Sequence, residues 1–131
     1  MIVDTSALIA ISRQEADARA LADAIDGAEQ ARISAATLFE AFIVVDRAED
    51  RTIPRRFDTL CRRIAFDIVP FDEAQARIAR EAYRDFGRGS GHPARLKFGD
   101  CFAYALAKAM DEPLLYKGRD FSHTDVRSAL A

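Results

Sequence analysis

The sequence predicts a layered α/β fold built on a mainly parallel sheet of four or five short strands flanked by helices. Three observations point there. Short apolar runs alternate along the chain with segments of helical periodicity. The runs end in residues that cap helices, and the strand–helix order repeats several times, which parallel strands with crossover helices require. The 131 residues are half hydrophobic and show no internal repeat or dividing linker, so a single domain over 1–131 with a substantial core is expected.

Met1-Ile2-Val3 reads as a first strand, and Asp4-Thr5-Ser6 as the cap of a helix beginning at Ala7. Glu15 to Ile25 continues helically, with Leu21 and Ile25 on one face, until Asp26-Gly27 stops it. Ala31 to Ser34 is a second strand. Ala35 to Ala48 is a helix apolar nearly all round (Leu38, Phe39, Phe42, Ile43, Val44, Val45), which predicts burial on several sides. Pro54 suits the first turn of a helix to Ile64, whose Arg55, Arg56, Arg62 and Arg63 form a basic surface. Asp67 to Phe71 is a third strand, and Asp72 caps a helix through Phe86. Gly87 to Pro93 is a glycine-rich loop. It follows a helix rather than a strand, so it reads as a mobile loop and not as a phosphate cradle. Cys101 to Met110 is another apolar helix, opened by Phe98-Gly99-Asp100. Leu114 to Tyr116 is a last strand, and the turn-rich tail from Lys117 ends in a short helix.

Several classes are excluded. No apolar run approaches the roughly 18 residues of a membrane span. The start of the chain meets Asp4 at once and lacks the basic, apolar pattern of a signal peptide. Cys61 and Cys101 have no metal-type spacing and read as buried thiols of a reducing, cytoplasmic compartment. The net charge of −2 argues against a nucleic-acid binder until the distribution is considered. Residues 1–50 carry 4 basic and 10 acidic side chains, whereas 51–66 carry 5 basic and 1 acidic, and 88–98 carry 3 basic and none acidic. Of 19 cations 16 are arginine, whose planar fork matches phosphate. The charges are segregated.

In open α/β sheets ligands bind beyond the C-terminal strand ends. Asp4 ends the first strand, Asp100 opens the helix before the last, Asp120 follows the last, and Glu40 lies two turns into the helix after the second. Each has a plain alternative: Asp4 and Asp100 as helix caps, Asp120 as a turn residue, Glu40 as a surface carboxylate. Together they would make a negative cluster that needs a counter-charge, because neighbouring carboxylates raise one another's pKa. Mg²⁺ or Mn²⁺, which prefers oxygen ligands, would supply it. Carboxylates without a His, Ser or Cys nucleophile suit phosphodiester hydrolysis better than acyl transfer. His92 and His123 have no evident triad partner and read as surface residues. Arg88, Arg95 and Lys97, with Lys117 and Arg119 at the last strand's exit, are candidates for holding phosphates of a nucleic acid.

Met1 to Leu8, Glu40 in its apolar helix, Phe98-Gly99-Asp100-Cys101-Phe102-Ala103-Tyr104-Ala105-Leu106-Ala107, and Leu114-Leu115-Tyr116-Lys117-Gly118-Arg119-Asp120-Phe121 together resemble a PIN-domain ribonuclease. The closest resemblance is to the VapC toxins of VapBC toxin–antitoxin pairs, and it spans essentially the whole chain. It implies a Mg²⁺-dependent endoribonuclease that cuts tRNA or ribosomal RNA and inhibits translation. By the resemblance, Asp4 and Asp100 are the principal metal ligands and Glu40 completes the acidic site. Asp120 is the fourth acid, with Asp125 competing for that place. It also implies homodimers, and a VapB antitoxin that covers an apolar groove, blocks the site and joins the toxin to operator DNA. A phosphatase with an Asp nucleophile is the rival enzyme, although Ser6 stands where such an enzyme usually has a second Asp. A non-catalytic binding domain is the rival of another class.

Overall fold

The computed structural model describes residues 1–130. Four strands, β1 (Ile2–Val3), β2 (Arg32–Ser34), β3 (Asp67–Val69) and β4 (Leu114–Leu115), form one sheet in the order β3-β2-β1-β4. Every pairing is parallel. Six helices connect them: α1 (Thr5–Ser12), α2 (Ala18–Gly27), α3 (Ala35–Asp46), α4 (Thr52–Ile64), α5 (Glu73–Phe86) and α6 (Phe98–Met110). The predicted α/β class, parallel sheet and flanking helices are all observed.

Strands of two residues hold because each residue is buried on its own face. Ile2 pairs with Leu114 and Val3 with Leu115, and successive side chains point to opposite sides. Ile2 and Leu114 therefore join Leu96 and Leu106 in one core, beside α6. Val3 and Leu115 join Leu8, Leu21, Ile33, Val45 and Phe57 in the other, beneath α1 to α4. Phe57 is fully buried and meets Phe42 edge-on at 5.8 Å. Phe57→Ala is expected to lower stability by about 3–5 kcal/mol through the void it leaves, read from the midpoint of chemical denaturation.

Several boundaries move. The first helix starts at Thr5 rather than Ala7, because Asp4 itself is its cap and accepts the Ser6 N–H. The second helix starts at Ala18, after a turn in which Gln14 has positive φ. The third strand ends at Val69, before Pro70, and its Ile68 is exposed at the sheet edge. The tail forms turns and one bridge, Leu114 to Ser128, instead of the expected helix. Of the two thiols, Cys101 is buried and Cys61 half-buried, and burial pushes both up to about 11. The glycine loop is pinned at its base, where Arg88 N–H donates to Leu96 O and Leu96 N–H to Phe86 O.

The largest correction concerns α3. Its apolar circumference predicts burial on several sides, yet only Thr37, Ala41 and Val45 are buried. Phe39 is 64% exposed, and Phe42 and Ile43 are also exposed. One stripe packs on the sheet and on α1, and the opposite apolar stripe faces outward.

Candidate metal centre

Parallel pairing places all four strand ends on one edge, and the loops leaving that edge carry the acids. With β1 flanked by β2 and β4, Asp4 leaves the sheet between the segments that carry Glu40 and Asp120. Asp100 enters from the first turn of α6.

Asp4 is 4% exposed. Its Oδ2 accepts from Ser6 N–H at 3.0 Å and from the Ser6 hydroxyl at 2.7 Å. Ser6 is fixed in turn by the Lys117 N–H, which donates to its Oγ at 2.9 Å. Asp4 Oδ1 is buried and has no hydrogen-bond partner among the described residues. Burial lifts the Asp4 carboxyl to about 6 against the lowering effect of Ser6, and the Glu40 charge adds to the rise.

Asp100 follows the same pattern. Its Oδ2 accepts the Lys97 N–H at 2.9 Å, closing the first turn of α6. Burial is the main cause of its rise to about 7, and the carboxylates of Asp4 and Asp120 push the same way. Capping and the acidic cluster are therefore not alternatives here. Each aspartate spends one oxygen on a helix terminus.

Glu40 comes from the second turn of α3, and its Oε1 accepts the Thr5 hydroxyl at 2.7 Å. Asp120 lies beside Asp100 and is half-buried. Asp125 is elsewhere: it accepts the Tyr104 hydroxyl at 2.6 Å and the Lys108 ammonium at 2.9 Å. Of the two contenders for the fourth acid, Asp120 alone adjoins Asp100.

No group of three or more His, Cys, Asp or Glu among the described residues is drawn together as a ready ligand set. The residues nevertheless fit a hard divalent cation. The donors are all carboxylate oxygens, one of them buried and unpaired, and Mg²⁺ needs only one or two carboxylates beside its waters. Buried carboxylates that repel one another gain most from a cation.

The cations divide into two kinds. Arg88, Arg95, Lys97 and Arg119 are exposed and take part in no ion pair among the described residues. Arg88 and Arg95 line an open concavity of about 560 Å³ with His92. Lys117 differs, because its ammonium is held by Glu15 at 3.1 Å and Asp17 at 3.2 Å. Its backbone N–H donates to Ser6 Oγ. His92 accepts the Ala94 N–H at Nδ1 and packs edge-on against Phe86, so it braces the glycine loop. The residues not named as site candidates from the sequence are Thr5 and Ser6, read there as helix-capping residues, and Gly99, whose only signal is a glycine in the first turn of a helix.

A parallel α/β domain with neighbouring carboxylates at the C-terminal ends of its strands is the class that fold and site define. A family model described as PIN domain matches residues 1–127. Ribonuclease VapC28 of Mycobacterium tuberculosis is 57% identical over 130 residues, which cover 99% of this chain and 98% of that one. Ribonuclease VapC42 of the same species is 46% identical over 129 residues, covering 98% of each. Among solved structures, FitAcB from Neisseria gonorrhoeae aligns with a TM-score of 0.67 over 97% of this chain and 94% of that chain. At 21% identity it bears on fold alone. The chain belongs to the PIN-domain family, in its VapC ribonuclease branch.

Proposed function

We propose that this chain is the toxin component of a type II toxin–antitoxin pair, a Mg²⁺-dependent endoribonuclease that acts as one domain in the cytoplasm and inhibits translation by cutting tRNA or ribosomal RNA. The observation that carries the reading is the buried, unpaired Asp4 Oδ1 beside the carboxylates of Glu40 and Asp100. The VapC ribonucleases named above support the activity class. Asp4, Glu40, Asp100 and Asp120 would hold the cation, with Mn²⁺ able to replace it. When bound, such an ion supplies a Lewis acid for the phosphodiester and deprotonates water near neutral pH.

The protein's own part is positioning. Ser6 fixes the Asp4 carboxylate, Thr5 fixes Glu40, and the Lys97 N–H fixes Asp100, so the donor oxygens are oriented before substrate arrives. Asp4 and Asp100 must lose their protons to bind a cation, which links binding to pH. Arg88, Arg95, Lys97 and Arg119 engage RNA phosphates. Lys117, neutralised by Glu15 and Asp17, contributes chiefly through its backbone. The outward apolar stripe of α3 (Phe39, Phe42, Ile43) offers the kind of surface a protein partner covers: a VapB-type antitoxin, with a second copy of the chain completing a homodimer that the antitoxin carries to operator DNA.

Purified protein incubated with tRNA and ribosomal RNA should cleave with Mg²⁺ and stop on chelation; equal cleavage after chelation refutes the reading. Converting Arg88, Arg95 and Lys97 together to Gln should weaken RNA binding. It should also reduce the slope of log affinity against log salt by about 2, at roughly 0.7 per lost phosphate contact. Filter binding between low and moderate salt measures this, and an unchanged slope removes these three from the interface.

A further inference from the structure

Glu40 is the acid that lies furthest along its helix, in the second turn of α3, and its side chain reaches from there to the other acids. Its carboxylate lies between the first turns of two other helices. Oε1 accepts the Thr5 hydroxyl of α1 at 2.7 Å, and Oε2 lies against Gly99 of α6. A Cβ built on residue 99 would overlap Oε2 and stand 2.6 Å from Cδ and 2.9 Å from Oε1. The whole carboxylate occupies the space a side chain at 99 would take.

Backbone conformation does not call for a glycine there. Residue 99 is helical and is not among the glycines of positive φ, which are Gly89, Gly91 and Gly118. Glycine is a poor helix former, and alanine would be favoured at an unconstrained helical site. Residue 99 also adjoins Asp100, so any relief of a clash must move either Glu40 or the turn that carries Asp100.

We propose that Gly99 is a positioning residue: its missing side chain, together with the Thr5 hydroxyl, seats the Glu40 carboxylate against the first turn of α6 and thereby brings the third acid to the pocket. This rests on the metal-site reading for its consequence, though not for its geometry. Oxygen ligands bind a hard cation well only when oriented, and loss of an orienting partner commonly costs about 10–100-fold in affinity.

A double-mutant cycle between Gly99→Ala and Glu40→Ala tests it, read by melting temperature of the metal-free protein and by Mn²⁺ affinity from electron paramagnetic resonance. In the wild-type background G99A should weaken Mn²⁺ binding about 10-fold or more. Its melting temperature should change less favourably there than in the E40A background, because the displaced Glu40 carboxylate gives up its Thr5 hydrogen bond. In the E40A background the same change should leave the melting temperature equal or higher and cost no further Mn²⁺ affinity. Thr5→Val should weaken Mn²⁺ binding and Thr5→Ser should retain it. Equal effects of G99A in both backgrounds overturn the proposal, as does wild-type Mn²⁺ affinity in G99A. If the wild-type protein binds no Mn²⁺, the metal reading fails, while the thermal cycle still decides whether Gly99 seats Glu40.

Discussion

Asp4→Asn and Asp100→Asn should each reduce RNA cleavage by more than roughly 100-fold while the protein stays folded. The expected size follows from the outer shell: changing a group that only orients a ligand costs about 10–100-fold, so changing the ligand itself costs more. Folding survives because an amide keeps an acceptor oxygen for the cap. Asp4 Oδ2 receives both Ser6 donors and Asp100 Oδ2 receives the Lys97 N–H, bonds that an Asn carbonyl can accept. Alanine would remove cap and ligand together and confuse the two roles. Cleavage of a labelled RNA, with circular dichroism on the same samples, separates them. Full activity in either Asn variant would remove that residue from the chemistry.

How much of this the chain discloses differs by level. Strand β1 is legible although only two residues long, because Ile2-Val3 runs straight into a capping trio; the same holds for Leu114-Leu115. Periodicity misleads at α3, since an apolar circumference tells how much surface wants burial and not whether the chain supplies the cover. Phe39 and Phe42 stay exposed for that reason. Among the site residues, the acids are legible from their places at strand and helix ends. Their coexisting capping roles are not, because a carboxylate has two oxygens and a sequence does not say where each one goes. Lys117 shows the same limit from the other side: its position suggests a phosphate contact, and only the fold brings Glu15 and Asp17 to its ammonium. Gly99 is visible as a glycine opening a helix, but its purpose is not, because the carboxylate it makes room for lies 59 positions away, at Glu40.

The second large effect is a pH dependence opposite to that of most carboxylate-stabilised proteins. Asp4 is raised to about 6 and Asp100 to about 7, both from 3.8. The folded protein therefore holds protons that the unfolded chain has released, and stability falls as pH rises. The contribution is fully present below the unfolded value near 3.8. It is lost as pH climbs through about 6 for Asp4 and about 7 for Asp100, and is flat above. For Asp4 alone the loss is on the order of 3 kcal/mol, at about 1.4 kcal/mol for each tenfold change in proton affinity. Metal-free protein should thus melt lower at pH 8 than at pH 5. Over that window Asp4→Asn should remove about a third of the difference and Asp100→Asn the larger part, because Asp100 stays protonated about one pH unit further. A divalent cation binds the deprotonated form and takes over the protons' role. Added Mg²⁺ should raise the melting temperature at pH 8 and do little at pH 5. Thermal scans across pH, with and without Mg²⁺, check both halves.

The most direct test of the acidic pocket as a cation site is calorimetric titration of Mg²⁺ at pH 6.5 in two buffers of different ionisation enthalpy. Saturable binding should release protons, because both aspartates are partly protonated there, and Asp4→Asn with Asp100→Asn should abolish binding and release together. No binding heat in the wild-type protein, or the same heat in the double variant, would contradict the site.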